Sequence, residues 1–277
     1  MRYLGPFVIA LFIIAQPIAV SGQVLSSGKG QTAEITIPSK TYPNGRRGWV
    51  YTPAGYPASC RPSCNLMVVF DGSMYLADIP LPAILDSLIA SKRTLPTVAI
   101  FFDNGAPPGR LADLANSGRF AAFVATELIP WVQHHYAVTH AADHTIIAGS
   151  SAGGLGATYI ALVHPELFGN VLSQSGAFWR GNEASNDPPY EWLTVQFAMS
   201  PKVNVHLFLD VGSLEIHGAL GGAAPSLLDA NRHLRDVLRK KGYAIDYFEV
   251  PNGQHSPESW RARLPFGIVS LAPGNVP

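Results

Sequence analysis

The chain has 277 residues, 47% of them hydrophobic and only 14% charged, with 19 basic and 19 acidic side chains. That is enough apolar sequence to bury the core of one sizeable α/β domain. A formal charge of zero, an isoelectric point near 7.1 and the lack of a charged tail exclude a partner held by phosphate neutralisation, so no nucleic acid is expected.

The N-terminus stands apart from the rest. Arg2 is followed by the apolar run "LGPFVIALFIIA" and then by "QPIAVSG", which ends in small residues. This is the layout of a signal peptide over residues 1–22, cleaved after Gly22, with Val20 and Gly22 at the small-residue positions. Its apolar core is shorter than the ~20 residues of a spanning helix, and an uncleaved anchor is the alternative reading. The expectation is a secreted or periplasmic protein with no stable membrane span after cleavage.

Residues 23–277 then read as a single domain, without repeats, low-complexity segments or linkers. "AEITIPS" and "GWVYTP" alternate in and out, as edge or antiparallel strands do. Cys60 and Cys64, in "CRPSC", are the only cysteines, and an exported chain would join them in a small disulfide ahead of the next strand. No histidine lies near them in sequence, so no metal site is expected there. "NLMVVF", "TVAIFF", "HTIIAG", "NVLSQS" and "VNVHLFLDV" are continuous apolar runs, as buried parallel strands require, and "AIDYFEV" adds a last strand. Helical patterns cover 81–91, 118–136, 153–164 and 226–241, with another near Trp260. In "SLLDANRHLRDVLRKKG" the leucines and Val237 form one stripe and Gly242 follows as a C-cap. Such alternation predicts an α/β fold, with a mostly parallel sheet covered by helices on both faces. The loops "NGAPPGR" and "GNEASNDPPY" read as rims of a pocket.

One turn carries the chemistry. Gly149-Ser150-Ser151-Ala152-Gly153 fits G-x-S-x-G with Ser151 at its centre, preceded by a strand and followed by a helix. Only Ser151 has glycine at both flanking positions of the motif, which leaves Ser150 as a spacer. A phosphate-binding loop is a rival reading, but the stretch has neither G-x-G-x-x-G spacing nor a following Gly-Lys-Ser/Thr. A serine hydroxyl needs an imidazole to take its proton. Of nine histidines, His255 in "VPNGQHSPESW" follows the last strand, where chain order Ser, acid, His puts the base. His217 competes but comes before that strand. The acid belongs at the end of the preceding strand, where Glu215 leads and Asp210 is the alternative. The oxyanion hole needs the amide of Ala152 and a second from "VVFDGSMY", where Ser73 and Gly72 are the candidates.

Taken together, "FDGSMYLADIPLPAILDSLIA", "RLADL", "FVATELIPWVQHHYAVT", "IIAGSSAGGLGATYIALVHPELFGNVLSQSGAFW" and "PNGQHSPESWR" resemble the enterochelin-esterase-like branch of the α/β-hydrolases, which is also similar to feruloyl esterases and mycolyltransferases. The resemblance runs from Leu66 to Leu271. It implies a Ser-acid-His esterase needing no cofactor, with Ser151 and His255 at the family nucleophile and base. Glu215 falls in the "G-x-x-acid" turn, Trp260 matches a position five residues after the histidine, and Arg110 with Asp113 matches an "R-x-x-acid-L" element whose arginine faces the substrate. The chain has Gly253-Gln254-His255-Ser256 where the family often has Gly-Gly-His-Asp. With fewer than 50 residues between Gly22 and Phe70, the family's separate N-terminal substrate domain is not expected in this sequence. Phe178, Trp179, Tyr190 and Trp192 are either the lining of an acyl or aromatic pocket or ordinary core aromatics. The partner is thus a small-molecule ester, of siderophore or aromatic type. An acyltransferase would use the same residues with an alcohol acceptor, and a non-catalytic binding protein is the remaining alternative.

Overall fold

Continuous apolar runs and alternating ones build two parts of one sheet. The computed structural model describes residues 28–105, 109–182 and 190–272, so the segment 1–22 expected as a signal peptide lies outside it. β1 (Gln31–Ile37) and β2 (Arg46–Thr52) are the alternating pair. β3 (Asn65–Phe70), with every residue buried, leads into α1 (Gly72–Ala77) and α2 (Leu81–Ala90). β4 (Thr97–Phe102) is followed by α3 (Gly109–Leu114), α4 (Gly118–Phe123), a π-helical turn at Val124–Leu128 and α5 (Ile129–His135). β5 (Thr145–Ser150) runs directly into α6 (Ala152–Val163), and β6 (Asn170–Gln174) precedes α7 (Trp192–Met199). β7 (His206–Gly212), α8 (Leu227–Lys240), β8 (Ala244–Val250) and α9 (Pro257–Ser270) complete the order.

The eight strands lie in the order β1-β2-β4-β3-β5-β6-β7-β8. β1, β2 and β4 pair antiparallel, and β4 through β8 pair parallel. Strand alternation divides the core between the two faces. Val68, Phe70, Ile100 and Ile147 pack with Phe120, Leu155 and Leu234 on one side, whereas Met67, Val69, Phe101 and Ala148 pack with Tyr75, Leu85 and Leu264 on the other. Both faces are dry, which is why the central strands read as unbroken apolar runs.

Local chemistry fixes the helix ends. The Ser226 side chain accepts from the Asp229 amide at 3.0 Å at the start of α8, a cap typically worth about 1 kcal/mol. The pattern expected over 118–136 is helical throughout but contains the π turn. There Glu127 accepts from the amides of Lys40 and Thr41 at 2.8 and 3.1 Å, pinning the β1–β2 connection. Cys60 and Cys64 are joined in a disulfide, and Cys64 is further tied to the Ala137–Thr139 segment by two backbone hydrogen bonds. α1, α3 and α7 were not anticipated from the sequence. Among the described residues no helix is long and apolar enough to cross a membrane.

Because β3 to β8 are parallel, their C-terminal ends open at one edge of the sheet. Asp71, Asn104, Ser151, Ser175, Glu215 and His255 all lie in the turns or loops leaving that edge, where such sheets place their ligand crevice.

Candidate active site

Ser151 occupies a one-residue turn between β5 and α6, with φ 56° and ψ −121°, in the left-handed half of conformational space that side chains disfavour. Its amide donates to the Gln174 carbonyl at 2.9 Å, and its carbonyl accepts from Ala177 at 2.9 Å and Leu155 at 3.1 Å, so the strained turn is held on both sides. A side-chain carbon at Gly149 would collide with the backbone of Gly153, which is why that position must be glycine. Ser150 is 1% exposed and cannot meet a substrate.

His255 reaches Ser151 from the loop after β8. Its Nε2 lies 3.1 Å from Ser151 Oγ, and its Nδ1 lies 2.6 Å from Glu215 Oε2. The other carboxylate oxygen, Oε1, accepts from the Gly212 amide at 2.8 Å and from Ser175 Oγ at 2.6 Å. Trp260 Nε1 donates in turn to Ser175 Oγ at 2.9 Å, and its ring meets that of His255 edge-on at 5.0 Å. The Glu215 side chain is 2% exposed and that of His255 38%. A buried carboxylate is tolerable only when its lone pairs are satisfied, and here both oxygens are. Of the two candidate acids, Glu215 therefore faces the imidazole. Asp210 is buried in β7, where it accepts from Gln174 Nε2 at 3.0 Å, and burial pushes its carboxyl up to about 7.

The remaining histidines stand elsewhere. His206 pairs with Asp246, His164 with Glu166 and His233 with Glu191, and His217 is exposed.

The loop proposed for the oxyanion hole lies against the head of α6. A carbon added at Gly153 would sit 3.1 Å from Asp71 Oδ2, and one added at Gly72 would sit 2.7 Å from Phe101, so the loop is packed tightly on both sides. Gly72 and Ser73 begin α1 and Ala152 begins α6, positions whose amides lack partners within their helices. Asp71, with φ 54°, holds this loop: its amide donates to Asn104 Oδ1 at 3.2 Å. Its carboxylate takes both prongs of Arg110, at 2.6 and 2.5 Å. Arg110, expected to face the substrate, thus has its fork committed to Asp71, which raises its already high pKa. Asp113 of the same element binds Arg46 Nη2 at 2.6 Å and Tyr42 Oη at 2.8 Å.

The proposed pocket aromatics divide. Phe178 is fully enclosed, and Trp260 is 6% exposed and occupied with Ser175 and His255. Trp192 meets Tyr159 edge-on at 5.7 Å in a separate apolar cleft of about 390 Å³ between α6 and α7. Trp179 and Tyr190 keep partial exposure, and Arg180 stacks over Trp179 at 5.1 Å. Sequence reasoning missed a polar cavity of about 510 Å³ lined by Tyr42, Arg46, Arg47, Asn104, Asp113 and Arg119. It shares Asn104 with the Asp71 loop, but its arginines come from β2 and α4, far apart in the chain. Among the described residues no group of three or more His, Cys, Asp or Glu side chains is arranged to hold a metal.

The model of the Esterase family matches residues 39–269. The chain belongs to that family. Within it, the chain is 30% identical over 238 residues to an iron(III) enterobactin esterase of Escherichia coli O6:H1 strain CFT073, covering 86% of this chain and 56% of the relative. An iron(III) enterobactin esterase of Dickeya dadantii is 28% identical over 271 residues, covering 93% and 58%. The crystal structure of an enterochelin esterase from Shigella flexneri superposes with a TM-score of 0.74 at 28% identity, over 87% of this chain and 57% of that one. A ferulic acid esterase shares the fold, with a TM-score of 0.70 at 19% identity, over 88% of this chain and 98% of that one. The chain therefore spans somewhat more than half the length of the enterobactin esterases it matches. The sheet order and the serine turn are those of the α/β-hydrolase fold.

Proposed function

We propose that this Esterase-family chain hydrolyses carboxylic esters through Ser151, His255 and Glu215. The observation that carries the reading is the continuous chain of hydrogen bonds from Ser151 Oγ through both nitrogens of His255 to a buried Glu215. His255 Nε2 takes the Ser151 proton as Oγ attacks the ester carbonyl carbon, and the carbonyl electron pair moves onto oxygen. The amides of Ala152 and Ser73, at two helix starts, stabilise that oxyanion. Collapse expels the alcohol, which leaves with the proton from His255, and the acyl group remains on Ser151. Water then attacks the acyl-enzyme as His255 takes its proton, and the acid leaves with Ser151 restored. Glu215 keeps Nδ1 protonated and stabilises the imidazolium at each half-reaction.

The substrate class follows from relatives named for enterobactin and from the arginine-lined cavity beside the Asp71 loop. An ester with a phenolic or siderophore-type acyl part is therefore the proposed substrate, and the cavity that would receive it carries both guanidinium groups and the carboxylates of Asp103 and Asp113. The Cys60–Cys64 bridge supports export to an oxidising compartment. The test is hydrolysis of p-nitrophenyl esters of short, long and aromatic acids by wild type and by Ser151→Ala. The wild type should turn over at least one of them, and the variant should fall to background. Equal rates for the two proteins would refute the reading.

A further inference from the structure

Ser175 joins the proposed catalytic acid to the tryptophan behind it through a single hydroxyl. It directly follows β6 with φ 48°, in the left-handed region where a glycine would be sterically easier, yet the chain keeps a side chain there. That side chain is 1% exposed and both donates and accepts a hydrogen bond. Its hydroxyl donates to Glu215 Oε1 at 2.6 Å and accepts from Trp260 Nε1 at 2.9 Å. Its amide donates to the Asp210 carbonyl at 2.7 Å, which fixes the backbone from which the hydroxyl projects. Strain of this kind persists where the surroundings over-determine it, and an observed outlier points toward function.

We propose that Ser175 is a positioning residue for ester hydrolysis, acting with Trp260 as a relay that fixes the Glu215 carboxylate against His255. This rests on the Ser151–His255–Glu215 reading. Glu215 has two oxygens, and only one can serve the imidazole. The Gly212 amide and the Ser175 hydroxyl occupy the other, so the carboxylate plane is set and Oε2 stays aimed at Nδ1. The Gly212 bond is local, spanning three residues, and follows any movement of that turn. Ser175 instead ties Glu215 to β6 and, through Trp260, to α9, two elements anchored in the core. Trp260 contributes twice: its N–H orients the serine hydroxyl, and its ring edge packs against the imidazole that Glu215 holds.

The test compares Ser175→Gly, Trp260→Phe, the double variant and Glu215→Gln, with kcat taken per folded molecule from the thermal unfolding curve. Glycine removes the hydroxyl and relieves the positive φ. Phenylalanine removes the donor while keeping an aromatic ring. In the double variant neither buried partner is orphaned, so it should fold even where Ser175→Gly is weakened by a stranded indole N–H. Losing a hydrogen bond to a charged group should lower kcat roughly tenfold or more in Ser175→Gly, with KM within about twofold of wild type. Trp260→Phe should lose less, and the double variant no more than Ser175→Gly, because Trp260 acts through the serine. Unchanged kcat in Ser175→Gly alongside an inactive Glu215→Gln would overturn the relay and leave the triad standing. Losses that multiply in the double variant would also overturn it. Full activity in Glu215→Gln would instead overturn the triad reading itself.

Discussion

Two buried carboxylates lie within one strand and its following turn, and their surroundings give them opposite tasks. Glu215 has partners on both oxygens and faces an imidazole. Asp210 has the Gln174 amide, and burial raises its carboxyl from 3.8 to about 7. Between those values the folded protein holds a proton that the unfolded chain has released. Asp210 therefore makes stability fall as pH rises from about 4 to about 7, with no further loss above that window. Asp210→Asn removes the titration and keeps an oxygen for Gln174. Denaturant unfolding at pH 5 and pH 8 should show the variant gaining on wild type by on the order of 2 kcal/mol between the two. A stability difference independent of pH would contradict this. At this scale Ser151 was legible because a five-residue frame specifies it, and His255 and Glu215 because chain order does. Ser175 and Asp71 were not, because their partners lie 40 and 39 residues away and only the fold brings them together.

Elements with a strong local signal were readable. The dry strands announce themselves as apolar runs, and α8 has a striped face, a serine cap and a terminal glycine. α1 and α3, of six residues each, and α7, of eight, are too short to be stable in isolation. α1 and α7 follow Asp71 and Glu191, both in left-handed geometry with no side-chain cap, so packing rather than sequence starts them. The Cys60–Cys64 clip acts at this level too. It closes a loop of only four residues' separation, which limits the chain entropy it removes. Replacing both cysteines by serine should lower unfolding stability by about 2 kcal/mol. The same protein should keep its kcat, since the clip sits at the start of β3 and the proposed catalytic groups at the opposite, C-terminal edge. Denaturant unfolding and ester turnover check the two halves, and a collapse of kcat in folded protein would contradict the second.

For the molecule as a whole, alternating patterns predicted a mostly parallel sheet, and the sheet is parallel from β4 to β8. Strand order was not written in any local pattern. It decides which loops meet, and so the arginine-lined cavity beside the Asp71 loop emerged only from the fold. Placing β5 between β3 and β6 sets Ser151 between the Asp71 loop and Ser175, while β7 and β8 bring Glu215 and His255 in from the other side. The central claim is that this convergence activates one serine. Ser151 is reachable and bonded to His255, whereas Ser150 beside it is buried. Reaction with an organophosphonate ester, followed by mass mapping of the modified peptide, tests that claim most directly. A single phosphonyl group on Ser151, absent from the His255→Ala protein, is the predicted result; labelling on Ser150, or labelling that persists without His255, would contradict it.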